Sequence, residues 1–408
     1  MSRSSLHATS SRPWYSPLFL AGLMLRHSGK CCIAICIGYV FAGFMPFDFA
    51  PRNRVAWPAN HQGIQFEPLS QIYSQNSLEL KGSAGAPGQP GSITIELWLK
   101  SMAIANENTH TILSLYDGVM PANLIVAQWQ SSLLIRTPLR DAAAPQRYRE
   151  AGIDAALPVG KPRFIAITSG PKGTSFYLDG SLADSYTRVH LRADTLRGRL
   201  ILGNSPDGST PWRGTVMGLA MYKAPLAAAD IQRHFQMWCV QRSREISSEA
   251  AVTALYLFDE GAAGTVQDYS GMHNTLAVPG RFFTLRKTIL LSPWADRPTT
   301  LSDVRDIVNN ILGFAPFGFF YFAYLNGRRP DCRLRNLIWT LLLSGAMSTT
   351  IELIQAFLPT RSSSCLDIIS NITGALGGVI LTAALLWAIS PEPTADSRFE
   401  IRDSRLEY

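Results

Sequence analysis

Charge is what this 408-residue chain has little of: Asp, Glu, Lys and Arg make up 16% of it, against about a quarter in an average soluble protein. With hydrophobic residues at 47%, that excludes a disordered chain, which needs few apolar and many charged residues. Cysteine is scarce too. Three of the six (Cys31, Cys32 and Cys36) fall inside one apolar run, so no disulfide framework is expected. The seven histidines are scattered, without a helical pair or a Cys-x-x-Cys partner, which leaves a zinc site unsupported. At about 150 residues per domain, the length predicts two or three folded units.

What the sequence does contain is uncharged runs long enough to cross a bilayer, which takes about 17 to 25 residues. Four occur, at 31–47, 307–327, 336–358 and 368–390, the third interrupted only by Glu352. The first begins some thirty residues in and lacks a small-x-small cleavage site, so it is expected to be retained as an anchor. The apolar stretch 17–25 is too short to span and is expected at the interface.

Basic residues in short loops set the orientation. The N-terminal tail carries Arg3, Arg12, Arg26 and Lys30 with no acid, and the loop after the second run carries Arg328, Arg329, Arg333 and Arg335 against Asp331 alone. Both are expected in the cytoplasm, which places the segment 48–306 outside. Much of the net charge of +7 is then topogenic, and no nucleic-acid partner is expected. The organisation expected is a cytoplasmic tail (1–30), a first transmembrane helix (31–49), an extracytoplasmic domain (55–285), a unit of three further transmembrane helices (303–390) and a cytoplasmic tail (391–408).

Between the first two spans, short β-rich runs separated by Gly, Pro, Asn and Asp have the rhythm of an antiparallel sandwich. Residues 92–99 alternate with period two, and 163–168 and 175–178 flank a Gly170-Pro171-Lys172-Gly173 hairpin. An Asp179-Gly180 turn follows. Tyr177 with Asp179-Gly180, then Leu202-Gly203-Asn204, Trp212-Arg213-Gly214, Ala220–Tyr222 and Ala229-Asp230-Ile231 resemble, in order, the laminin-G-like, concanavalin-A-type jelly roll. One departure stands out: Leu255–Gly261 with Asp268, Gly271 and Asn274 looks like the stretch that usually opens such a domain, yet here it comes last. A permuted closing strand is the expectation. The resemblance implies binding of a carbohydrate or peptide through loop carboxylates such as Asp179, Asp259 and Asp268, with calcium as a possible ligand and no other cofactor. Asp-Gly and Asp-x-Ser-Gly also serve as plain turn chemistry, which competes with that reading at each position. Glycoside hydrolysis needs two facing carboxylates, and no Glu-x-Asp-x-x-Glu-like strand is present.

Ionisable and amide side chains inside spans are costly and face a bundle interior or a wet cavity. At about 1.5 Å rise per residue, Glu352 lies about 9 Å, and Asn310 and Asn371 about 6 Å, below the outer ends of their spans. Asp306 with Asn310, Glu352 with Gln355, and Asp367 with Asn371 fall three or four residues apart on shared helix faces. Together with Arg361 they predict a polar cluster in the outer leaflet: Asp306, Asn310, Glu352, Gln355, Arg361, Asp367 and Asn371. Gly374 and Gly378 form a small-xxx-small strip for close helix approach. Pro316 predicts a bend in its helix.

These same residues, with Pro316-Phe317-Gly318, Thr350, Pro359, Gly374 and Gly377, resemble the VanZ-like membrane family across about 303–387. The fold class expected is therefore multi-domain: an α-helical membrane bundle of four transmembrane helices with an inserted all-β, concanavalin-A-like sandwich. The resemblance implies a multi-pass protein of the bacterial plasma (inner) membrane and a link to glycopeptide-antibiotic tolerance. The partners expected are the lipid bilayer and a glycan, wall polymer or lipid-linked envelope precursor. Three functional readings stand side by side. In the first, the sandwich recognises an envelope polymer and the polar cluster takes a lipid head group. In the second, the spans only anchor a surface interaction domain. The third is a membrane-embedded enzyme or transporter of envelope lipids; without a nucleophile–base pair or metal set, enzyme status stays open.

Overall fold

The structure is a computed structural model and describes residues 26–59, 62–79, 92–104, 108–139, 148–191, 196–294 and 301–389. The tail expectations for 1–25 and 390–408, including the interfacial stretch, lie outside the described residues. The chain divides into two compact units, Asp48–Lys287 and a second made of Met1–Phe47 with Thr288–Tyr408.

In chain order the first helix, α1 (Ser28–Phe44), precedes the strands of the β unit. These are β1 (Ile64–Phe66), β2 (Ile72–Ser74), β3 (Leu78–Glu79), β4 (Ile93–Ser101), β5 (His110–Tyr116), β6 (Leu124–Trp129), β7 (Ser132–Pro138) and β8 (Tyr148–Ile153). There follow β9 (Pro162–Gly170), β10 (Gly173–Leu178), β11 (Ser181–Tyr186), β12 (Arg197–Leu202) and β13 (Gly214–Tyr222). After helix α2 (Ala228–Cys239) come β14 (Val252–Tyr256), β15 (Thr265–Val266) and β16 (Leu276–Ala277). They form two sheets: β1-β13-β4-β9-β10-β11 with β14 also on β13, and β15-β16-β2-β12-β5-β6-β7-β8 with β3 also on β12. All pairings of these strands are antiparallel.

The core between the sheets takes every second residue of the long strands, for example Ile93, Ile95, Leu97 and Leu99 of β4 and Ile165 and Ile167 of β9. The intervening residues are buried as well, because α2 lies on the other face: Phe164, Ala166, Tyr222, Ile231 and Trp238 make a second cluster there. Gly218 has no side chain because the Trp238 ring occupies the place where its Cβ would stand, 2.1 Å away. Both turns of the predicted hairpin occur, with β9 and β10 joined through Pro171-Lys172 and β10 and β11 through Asp179-Gly180. The latter pair has positive φ at both residues, 49° and 82°, as a type I′ turn requires.

The late segment closes the sheet beside its start. β1 pairs with Gly214–Val216 and β14 with Leu219–Tyr222, along the same strand β13, and Gly63 N donates to Phe258 O at 3.1 Å. β1 and the late strand β14 thus both pair along β13, as a permuted closing strand needs.

The other unit is helical: α1, α3 (Leu301–Arg328), α4 (Arg333–Gln355) and α5 (Cys365–Ile389). Three segments are long and apolar enough to cross a membrane, Asp303–Arg328, Pro330–Gln355 and Cys365–Ala388, while α1 is a shorter apolar helix of 17 residues. Burial runs opposite to that of a soluble bundle. On α4 the buried residues are Asn336, Thr340, Ser344, Ser348 and Glu352, whereas Leu334, Ile338, Trp339, Leu342 and Leu353 are exposed. Such an inversion suits a lipid solvent, in which apolar side chains lose nothing by facing outward.

Helices α3 and α5 touch backbone to backbone. A Cβ on Gly374 would stand 2.1 Å from Ile311 O, one on Gly378 2.0 Å from Ala315 O, and one on Gly318 2.0 Å from Ala375 O. Helix α3 runs through Pro316 without a break. Helix α4 stops at Gln355, three residues short of the apolar run, and its chain returns through 359–364 to start α5.

Candidate functional site

The seven polar residues expected to converge do so. Asp306, Asn310, Glu352, Gln355, Arg361, Asp367 and Asn371 all line one cavity of about 510 Å³ within the helical unit. Helical spacing explains the pairs, and the 359–364 return brings Arg361 to the same mouth. Asn310 Nδ2 donates to Asp367 Oδ1 at 2.7 Å, tying α3 to the first turn of α5. Asn371 Nδ2 donates to Ser348 Oγ at 2.9 Å, tying α5 to α4. Gln355 Nε2 donates to Gly43 O at 2.9 Å and so holds the end of α1.

Glu352 is buried and works on the chain's own backbone. Its Oε2 accepts from Ser364 N at 2.9 Å. Ser364 immediately precedes α5 and its Oγ accepts from Leu366 N at 2.9 Å, so carboxylate and hydroxyl together satisfy N–H groups at that helix start. A negative charge there also complements the helix dipole. The approach to α5 is fixed further by Leu291, whose N–H donates to Ser363 O at 2.8 Å and whose carbonyl accepts from Cys365 N at 2.9 Å.

Arg361 stands apart. Its side chain is exposed, and among the described residues it makes no ion pair, with Glu352 or any other acid. Residues that helical spacing did not pick out complete the wall: Tyr39 and Gly43 of α1, Asn309 and Thr360. The Tyr39 hydroxyl donates to Gly313 O at 2.6 Å and its ring stacks on Phe314 at 4.6 Å, which seats α1 against α3. The five-residue ladder Asn336, Thr340, Ser344, Ser348, Glu352 was readable as a polar i±4 ridge, and it points straight to Ser348.

The three sandwich carboxylates are not brought together. Asp179 accepts from Phe164 N at 3.1 Å and pairs with Arg163. Asp268 accepts from the backbone N–H groups of Leu255 (3.0 Å), Ser270 (2.9 Å) and Asn274 (2.9 Å) and so organises its own loop. Asp259 meets Arg244 and the Tyr269 hydroxyl, both at 3.4 Å. Among the described residues no group of three His, Cys, Asp or Glu is placed to hold a metal ion.

Sequence reasoning missed two carboxylates here. Glu260 has a pKa raised by burial, with Oε1 held by Gln267 N at 2.8 Å and Oε2 without a partner among the described residues. Glu96 is fully buried beneath α2, where its Oε1 meets His234 Nδ1 at 2.6 Å and its Oε2 accepts from Tyr222 OH at 2.9 Å and Trp238 Nε1 at 3.2 Å. Period-two alternation would have put Glu96 in solvent.

Two family models match. Residues 250–387 match VanZ/LLP1, and residues 74–232 match the concanavalin A-like lectin/glucanases superfamily. The C-terminal part of the chain is thus similar to VanZ/LLP1 proteins, and the part before it to laminin-G-like, concanavalin A-like domains. The VanZ-like match begins at residue 250, so it takes in β14, which folds with the β unit, as well as α3 to α5. A comparison with curated proteins finds no match.

Solved structures resemble the chain at low identity. A Ruminococcus gnavus sialidase CBM40 bound to sialyllactose aligns at 12% identity over 41% of this chain and 98% of that one, with TM-score 0.30. A heptameric SAP-like pentraxin from Limulus polyphemus aligns at 12% over 44% and 79%, with TM-score 0.31. The botulinum neurotoxin serotype D binding domain aligns at 13% over 46% and 45%, with TM-score 0.33, so this chain spans less than half of that protein. At these scores the likenesses carry no weight for function.

Proposed function

We propose that this is a multi-pass protein of the bacterial plasma membrane whose membrane cavity takes the head group of an envelope lipid, and whose sandwich recognises a glycan or wall polymer. The observation that carries the first part is the cavity itself: seven polar side chains from three helices and one loop around about 510 Å³, in a unit whose outward surface is apolar. A mere anchor has no use for buried Glu352 and Asn371, since one plain apolar helix would serve. In this reading α1 is a fourth span, both chain ends are cytoplasmic, and the sandwich and the cavity mouth are extracytoplasmic. The exposed Arg361 meets the anionic group of the ligand, and Glu352 is a positioning residue that fixes the loop carrying Arg361. Support for the second part is the match to the concanavalin A-like lectin/glucanases superfamily.

The test is complementation of a deletion strain for glycopeptide-antibiotic sensitivity, with wild type, Arg361→Gln and a chain lacking 55–285 compared at equal membrane levels. Arg361→Gln is exposed and leaves the helix contacts intact, so failure of that variant supports the cavity. Full function of Arg361→Gln with loss of function on removing the sandwich would replace this reading by that of a membrane-anchored recognition module. Binding of the full chain to a glycan panel, with and without calcium, tests the sandwich; retention of none of them in either condition refutes its part.

A further inference from the structure

The return between α4 and α5 that carries Arg361 is held by more than Glu352. A short segment ahead of α3, Leu290–Leu291, is bonded along it. Leu290 N donates to Ser363 Oγ at 3.1 Å, Leu291 N to Ser363 O at 2.8 Å, and Cys365 N to Leu291 O at 2.9 Å. The Cys365 thiol adds a weak contact to Leu290 O at 3.5 Å, and Leu291 forms a parallel bridge with Ser364. Ser363 is fully buried, whereas Arg361, two residues earlier, is exposed. The strap therefore grips the residues behind Arg361 and not Arg361 itself.

Two features make this grip releasable. It consists of ordinary hydrogen bonds, each of modest net worth. Leu290 also holds φ at +50°, a left-handed conformation that a bulky side chain keeps only under constraint from its surroundings, so undocking relieves strain. The same segment is the chain's link to the β unit. There Arg286 N donates to Pro206 O at 3.0 Å, and only four residue steps separate Arg286 from Leu290, a reach of about 14 Å at full stretch. A displacement of the sandwich has little slack to absorb it before it draws on the strap.

Resting on the two-part reading above, we infer that the Leu290–Leu291 strap is a latch that positions the Arg361 loop at the cavity, and that engagement of the sandwich by a wall polymer releases it. Ser363 is a positioning residue in this scheme, since its carbonyl and hydroxyl take both N–H groups of the strap.

Cys365 is a built-in probe of the latch, because its backbone N–H and its thiol both engage the strap. The full chain in neutral detergent is treated with a maleimide, and labelling of Cys365 is followed by peptide mass spectrometry with the exposed Cys239 as internal reference. Ser363→Ala removes the acceptor of Leu290 N, and loss of one such bond should speed labelling by roughly fivefold. Ser363→Thr keeps the hydroxyl and should restore the slow rate. Leu291→Pro, outside the helices, removes the donor to Ser363 O and should speed labelling at least as much. Sonicated wall sacculi should accelerate labelling in the wild type, but not in a chain with a flexible Gly-Ser linker of about ten residues inserted between Lys287 and Thr288. Unchanged labelling in both Ser363→Ala and Leu291→Pro overturns the latch. Sacculi that retain the chain without changing the Cys365 rate, or that change it equally in the lengthened chain, overturn release through the strap while leaving polymer recognition standing. Failure of the sacculi to retain the chain overturns polymer recognition and with it the releasing signal, and the latch is then judged on the two variants.

Discussion

Replacing His234 by Gln should loosen α2 from the sandwich, and the size of the effect follows from what surrounds the ring. His234 is fully buried, with Nδ1 2.6 Å from Glu96 Oε1 and Nε2 2.8 Å from Glu249 Oε1. Carboxylates only accept, so both ring nitrogens donate and the ring is an imidazolium. Burial opposes that charge, but the hydrogen bonds and charges of Glu96 and Glu249 outweigh it and raise the pKa above its ordinary 6.5. With Gln in its place, the fully buried Glu96 keeps only the neutral donors Tyr222 and Trp238. Removing one partner of a buried ion pair costs about 3–5 kcal/mol, which predicts protection factors lower by about two orders of magnitude or more where exchange follows local opening. The assay is hydrogen exchange of the full chain in detergent, read on amides of α2 and β4. Because the folded pKa is raised, the stabilisation is complete below the unfolded value of 6.5 and is lost as pH rises through the folded one. The gap between wild type and variant should therefore be widest at mildly acid pH and shrink on going alkaline. Equal protection in the two proteins, or a gap that widens with pH, would refute the imidazolium clamp.

Two further outcomes follow from the packing and the turns. Gly378→Leu must push a side chain into Ala315 O and Phe319 N, which lie 2.0 and 2.6 Å from the Cβ position; overpacking of this kind costs about 1–3 kcal/mol or more, and the check is a lower membrane level and earlier heat aggregation in detergent. Asp268→Ala strands three backbone N–H groups, each worth about 1–3 kcal/mol when left unsatisfied; hydrogen exchange should accelerate over 252–274 with or without added calcium, whereas an effect seen only with calcium would make Asp268 a ligand instead of a turn residue.

The sandwich was legible because its signals are local. A Gly-Pro-Lys-Gly link and an Asp-Gly pair fix hairpins through φ alone, and both formed between the strands expected. The strand interiors were less so. Alternation in β4 marks Ile93, Ile95, Leu97 and Leu99 as one face, but says nothing of what lies on the other, and there α2 covers Glu96 and Trp98. A helix that docks on the outer face of a sheet turns a half-buried strand into one buried on both sides, and no period-two pattern distinguishes the two. The neighbourhood of β1 and β14 was inferred only from a familiar stretch standing out of order; both strands pair with β13, and the contact between their ends, Gly63 N to Phe258 O, joins residues nearly two hundred positions apart.

The polar cluster was legible for a different reason. A membrane removes the noise of surface charge, so any carboxylate or amide within a span stands out and helical geometry assigns its depth. What spacing could not supply was the course of 359–364. It carries Arg361 to the cavity and delivers Ser364 N to Glu352, making the one acid in the third apolar run a support for the start of α5 instead of a partner for Arg361. That assignment changes what Glu352 variants mean. A loss of function in Glu352→Ala would report a displaced loop as readily as lost chemistry, while Glu352→Gln keeps an oxygen for Ser364 N and removes only the charge. Arg361, exposed and without an ion pair among the described residues, is the position where function and fold separate, and it is there that the proposed ligand binding is best tested.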